Sequence, residues 1–125
     1  MGEIAQTFNQ IGTIPYMAPE RFEKNIKSSI ASDVFSIGMI LYEMLVGYLP
    51  FDKNIEIRNQ ISDHRYMEIV ERSIHENLLS RKFGNLVRSM VHPDLSLRIS
   101  NYEELSIRIK ENSPKRSLFS SIFKK

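Results

Sequence analysis

The chain has 125 residues, 42% of them hydrophobic and 26% charged, with a mean hydropathy of −0.28; that balance fits one globular domain with one core and excludes a disordered polyelectrolyte. Cysteine is absent, which excludes disulfides, zinc–thiolate centres and thiol catalysis and is compatible with a reducing compartment. The net charge is only +2, and Lys115, Arg116, Lys124 and Lys125 place a basic excess in the tail, so the body is slightly acidic and lacks the basic stripe that nucleic-acid binding needs.

Residues 1–15 are polar and carry Gly2, Gly12 and Pro15, which reads as an irregular segment; a charged start followed by an apolar run, as a secretory signal needs, is missing from Met1 to Gln10. Ala18 to Phe22 reads as a proline-opened helical turn, and residues 24–32 as a polar loop. Ser32 and Asp33 then supply a helix start, a short oxygen side chain followed by an acid near the positive end of the dipole. From Val34 to Val46 nearly every position is apolar or aromatic, the pattern of a central helix with neighbours on all sides. Gly47 fits a left-handed cap and Pro50 blocks continuation. The apolar stretch to Phe51 holds Glu43, Gly38, Gly47 and Pro50 and is too short and too interrupted for a membrane span.

Asp52 to His64 reads as a polar connection. Tyr66, Ile69, Val70 and Ile74 recur at helical spacing, as do Phe83, Leu86, Val87, Met90 and Val91, predicting two amphipathic helices. Pro93 ends the second. Ser100 and Glu103 form a capping box ahead of a last helix with Tyr102, Leu105, Ile107 and Ile109, and Pro114 closes the folded part. The fold class expected is all-α, with no strand-like alternation and no internal repeat.

Residue chemistry alone points to no catalytic set. His64, His75 and His92 make no i, i+4 pair of the kind that ligates metal and read as scattered surface histidines. The glycines never approach the spacing of a phosphate-cradling loop, and no nucleophile is paired with a base at a recognisable interval.

Three stretches change this picture. "GTIPYMAPE" at 12–20 resembles the end of the activation segment of a eukaryotic protein kinase of the Ser/Thr or tyrosine-kinase-like groups. "SDVFSIGMILYEMLVGYLPF" at 32–51 resembles that family's central helix F, and "HPDLSLRIS" at 92–100 the segment before its final helix. They occur in the family's order, with helices between them where the family has helices G and H. The resemblance implies the C-terminal helical subdomain of a kinase-like fold, from the activation-segment end through helices F to I, without the N-lobe. It divides the chain into an activation-segment remnant at 1–11, a partial C-lobe at 12–112, and a basic, Ser-rich tail at 113–125.

The resemblance also implies roles. Gly12, Thr13, Ile14, Pro15 and Tyr16 line the pocket for the residue following the phosphoacceptor, and Thr13 points to Ser/Thr substrates. Glu20 pairs with Arg98, and Asp33 anchors the catalytic loop through its backbone N–H groups. Without the resemblance, Glu20 is an acid in a first helical turn and Arg98 a solvated loop residue. Thr7 is either a candidate phosphosite or a plain polar residue in a loose leader. The tail, with Leu118, Phe119, Ile122 and Phe123 among four basic residues, is either a disordered end or a segment that touches an anionic membrane or a partner groove.

Departures from the family set the functional expectation. A glycine-rich loop, a strand lysine, a His-Arg-Asp catalytic loop and an Asp-Phe-Gly metal site all belong before residue 12, and none is present in the sequence. "DHRYM" at 63–67 is a decoy, with Tyr66 where aspartate is required. Leu95 and Ile99 stand where relatives often have proline, and the connection at 53–64 is long. The expectation is therefore a truncated, catalytically inactive protein kinase domain that holds neither ATP nor Mg, although the family uses both. It is expected in the cytoplasm and in need of a protein partner or the missing kinase half, with no nucleic acid and no membrane span. The alternative is a non-catalytic binding or scaffold module derived from a kinase lobe. In either case part of the central helix is expected to lie uncovered.

Overall fold

A computed structural model describes residues 14–23 and 29–112. Every element among the described residues is helical. Two 3-10 turns, Ile14–Tyr16 and Pro19–Phe22, lead into helices α1 (Ile30–Val46), α2 (Ile57–Ser62), α3 (Tyr66–His75), α4 (Arg81–Met90) and α5 (Tyr102–Asn112). Thr7, Gly12 and Thr13, the 1–11 segment and the 113–125 tail lie outside the described residues.

α1 begins earlier than the Ser32–Asp33 start read from sequence. Ser29 is its N-cap, its hydroxyl accepting a 3.2 Å bond from the Ser32 N–H, because the Ser32 hydroxyl is engaged elsewhere: it donates to Glu20. At the other end Gly47 takes the left-handed conformation, φ 98°, which relieves the steric cost any side chain would meet there. The all-round burial inferred for this helix is corrected. Ala31, Val34, Phe35, Gly38, Met39 and Tyr42 are buried on one face, while Ile37, Ile40, Met44 and Leu45 are exposed, Met44 to 76%.

The buried face of α1 packs most closely on α4. A Cβ on Gly38 would stand 2.7 Å from both the Met90 Cβ and the Val91 Cγ1, so the absent side chain lets the two backbones approach. Phe35, Met39, Tyr42, Tyr66, Val70, Leu86, Val87 and Met90 form the centre of the core, and the Phe35 and Tyr66 rings meet edge-on with centroids 5.6 Å apart. The core's polar groups are paired: the Tyr42 and Ser73 hydroxyls lie 2.6 Å apart, and the Tyr66 hydroxyl donates to the Val91 carbonyl. Burial pushes the Tyr66 phenol well above its ordinary range.

Two local readings are also corrected. The polar connection at 52–64 contains α2, whose Gln60 is fully buried. Its amide donates to the carbonyls of Asp52 (2.9 Å) and Ile55 (2.7 Å) and accepts from the Asp52 N–H (2.7 Å). Ile61 is fully buried beside it, but a six-residue helix offers only the Ile57–Ile61 pair, too short a run for apolar periodicity to mark. The last helix is capped by Asn101, which accepts from the Glu104 N–H at 2.7 Å, not by a Ser100–Glu103 box. Within α5 only Leu105 is buried; Tyr102, Ile107 and Ile109 are exposed.

Candidate functional site

The three stretches singled out in the sequence converge on the N-terminal half of α1. Pro93 and Asp94 start the loop that delivers Arg98. The Asp94 side chain accepts from the Ser96 N–H (2.9 Å) and hydroxyl (2.7 Å), and its carbonyl accepts from the N–H groups of Leu97 and Arg98. The Ser96 bonds hold the Asp94 carboxyl below the usual carboxylate range. This tight turn points the Arg98 side chain inward, where it is 0% exposed.

There Arg98 meets Glu20 on the second 3-10 turn. Its two terminal nitrogens bond the two carboxylate oxygens at 2.7 and 2.9 Å, a fork-to-fork pairing. Two further donors are used as well: Nε bonds the His92 carbonyl at 2.7 Å, and Nη1 also reaches the Ala31 carbonyl at 3.2 Å. The guanidinium lies 5.2 Å over the Phe35 ring. The Ser32 hydroxyl adds a 2.8 Å bond to Glu20. Burial alone pushes the Glu20 carboxyl up, but the bonds from Arg98 and Ser32 outweigh it and hold the pKa below the ordinary value of 4.5. The clasp therefore ties the 3-10 turn, the start of α1 and the 92–100 loop into one body.

The first 3-10 turn is strapped to the same helix further along, at Ser36 and Glu43. The Tyr16 hydroxyl donates to Glu43 at 2.8 Å, and the Ser36 hydroxyl donates to the Tyr16 carbonyl at 2.6 Å. The bond to Glu43 raises the Tyr16 pKa. Ile14, Pro15 and Tyr16 are held half-buried beside α1. Asp33 sits in the first turn of α1 with its carboxylate exposed and accepts a 3.2 Å bond from the Tyr102 hydroxyl. Sequence reasoning missed Ser32, Ser36 and Glu43 as members of this site. Glu43 carried a usable signal, since it is the one acid in the apolar run of α1 and a buried helix keeps such a group only with a partner.

Among the described residues no group of three or more His, Asp or Glu side chains could hold a metal ion. The glycines there serve packing and a helix cap: Gly38 meets Met90 and Val91, Gly84 meets Ile74, and Gly47 ends α1. No helix among them is long and apolar enough to cross a membrane.

An all-helical lobe built around one helix, with a buried carboxylate–guanidinium clasp closing it, defines a class, and comparison with known sequences gives its name. Residues 3–108 match the family model for the protein kinase domain, and the chain belongs to that family. Its relatives include serine/threonine-protein kinase mph1 of Schizosaccharomyces pombe, 36% identical over 100 residues that make up 70% of this chain and 15% of mph1. Serine/threonine-protein kinase PknD of Protochlamydia amoebophila is 30% identical over 112 residues, 88% of this chain and 11% of PknD. Protein lin-2 of Caenorhabditis elegans is 34% identical over 110 residues, 86% of this chain and 11% of lin-2. The matching stretch spans only 5% to 16% of the length of such relatives.

Proposed function

We propose that these 125 residues form the substrate-facing helical half of a protein Ser/Thr kinase domain, and that phosphoryl transfer requires nucleotide-binding and catalytic groups from outside them. The observation that carries this reading is the two-faced burial of α1. One face is closed by the core and the clasp, while Ile37, Ile40, Met44 and Leu45 face outward. A partner covering on the order of 400 Å² of apolar surface there would gain about 10 kcal/mol, comparable to the net stability of a whole domain.

In this reading Ile14, Pro15 and Tyr16, with Gly12 and Thr13, contact the residue that follows the phosphoacceptor, and Thr13 favours serine and threonine acceptors. Asp33, exposed at the start of α1, accepts backbone N–H bonds from a catalytic loop supplied by the partner. Glu20 and Arg98 keep both surfaces in register. Residues 12–112 form the lobe, 1–11 the end of an activation segment in which Thr7 is a phosphosite, and 113–125 a basic extension; the compartment is the cytoplasm. Phosphoryl transfer rests on positioning and charge stabilisation by a Lys, a catalytic Asp and metal-bound groups, and the sequence holds none of the motifs that supply them.

The same exposed face supports a second reading, in which the lobe is a non-catalytic module binding another protein. Transfer of radiolabelled phosphate from ATP to a mixed protein substrate tests the first reading directly. The purified chain alone should give no incorporation above a protein-free control; incorporation that rises with chain concentration and survives repurification overturns it.

A further inference from the structure

Between the second 3-10 turn and α2 lies a small cleft of about 110 Å³, lined by Ile14, Met17, Arg21, Phe22 and Arg58. It is far below the ~300–1,000 Å³ of a cofactor or drug-sized site and suits one side chain. Ile14, Met17 and Phe22 give it apolar lining, and its charged members are two arginines. Glu20, on the same 3-10 turn, is paired with Arg98. Arg58 comes from the first turn of α2, the helix that occupies the long connection, and is exposed. Its guanidinium lies 5.1 Å over the Phe22 ring. Stacking engages the flat face of the group and leaves in-plane N–H donors for a ligand.

We propose that this cleft receives an acidic side chain, aspartate or glutamate, at the substrate position immediately following the phosphoacceptor, with Arg58 as the residue that sets this preference. The inference rests on the reading of Ile14–Tyr16 as a substrate-contacting turn, since Ile14 lines the cleft. The methylenes of the incoming side chain lie against Ile14 and Met17, and its carboxylate takes the edge of the Arg58 fork. A neutral side chain there leaves the carboxylate's place to water, and a lysine brings like charges together. The preference is therefore electrostatic and weakens with salt.

The test titrates the full 125-residue chain, labelled at its Ile and Met methyl groups, with three serine peptides that differ only in the residue after the serine: Glu, Gln or Lys. The Glu peptide should bind about fivefold more tightly than the Gln peptide and about tenfold more tightly than the Lys peptide, shifting the Ile14 and Met17 methyl signals. Arg58→Glu should invert the order, and Arg81→Glu, an exposed charge at the start of α4, should leave it unchanged. Arg58 is exposed, so the variant keeps the fold, as far-UV circular dichroism would verify. Equal affinity for the Glu and Gln peptides, or an order unmoved by Arg58→Glu, overturns the acidic preference alone. Absence of binding by all three overturns the substrate-contacting role of the turn and this inference with it.

Discussion

Replacing Arg98 with Met keeps much of the side chain's bulk while removing its charge. It strips Glu20, 7% exposed, of two bonds at 2.7 and 2.9 Å, leaving it the Ser32 hydroxyl and a backbone N–H but no countercharge. It also leaves the Ala31 and His92 carbonyls without their guanidinium donor. Breaking a buried ion pair from one side costs about 3–5 kcal/mol, a large share of the ~5–15 kcal/mol that holds a domain folded. Glu20→Gln, which keeps the shape and two carbonyl partners for Arg98, should cost less, about 1.5–3 kcal/mol. The double variant should lose less than the sum of the two, because no unpaired charge remains. The pH dependence carries a sign. With Arg98 present the folded Glu20 pKa is depressed below its ordinary value of 4.5, so its contribution is full above that value and is lost as pH falls through the folded one. With Met at 98, burial dominates and the folded pKa rises above the unfolded one, so acidification relieves the variant. Urea unfolding followed by far-UV circular dichroism should show a wide gap between wild type and Arg98→Met at pH 7 that narrows towards pH 4. A gap under about 1 kcal/mol at pH 7, or one that does not change with pH, refutes the clasp as the tie between these segments.

Two further predictions concern the core. Gly38→Ala places a Cβ 2.7 Å from Met90 and Val91, and forcing α1 from α4 should cost about 1–3 kcal/mol, seen as a lower Tm; an unchanged Tm would show that the crossing is loose. Tyr42→Phe leaves the buried Ser73 hydroxyl without its 2.6 Å partner and should cost about 1–3 kcal/mol, much of it regained when Ser73→Ala is added. Additive losses in that pair would contradict the buried hydroxyl contact.

Much of the fold is legible in the sequence because its signals are local. The cap at Gly47, the apolar periods of α3 and α4 and the proline-opened turn at Pro19 each follow from a few neighbouring residues. What escapes is set by tertiary partners. α2 is held by Ile61 and by Gln60, whose polarity hides its burial, and is too short to show an apolar period. The choice of Ser29 over Ser32 as cap depends on Glu20 drawing the Ser32 hydroxyl away. The uncovered side of α1 has the composition of a core face and nothing local to mark it as exposed. Within the site, Tyr16–Glu43 and Ser36 link positions far apart in sequence. Arg58 reaches Phe22 only because the long connection folds back as a helix.

The central claim is that this lobe is the helical half of a working kinase domain and acts through the outer face of α1. The most direct measurement grafts residues 14–112 into serine/threonine-protein kinase mph1 in place of its matching stretch and follows phosphate transfer from ATP to a serine peptide. The graft should transfer phosphate, and Ile40→Asp with Met44→Asp should abolish transfer while leaving the isolated chain's stability within about 0.5 kcal/mol, since both positions are exposed. A folded graft without activity, or one indifferent to the two aspartates, contradicts the account.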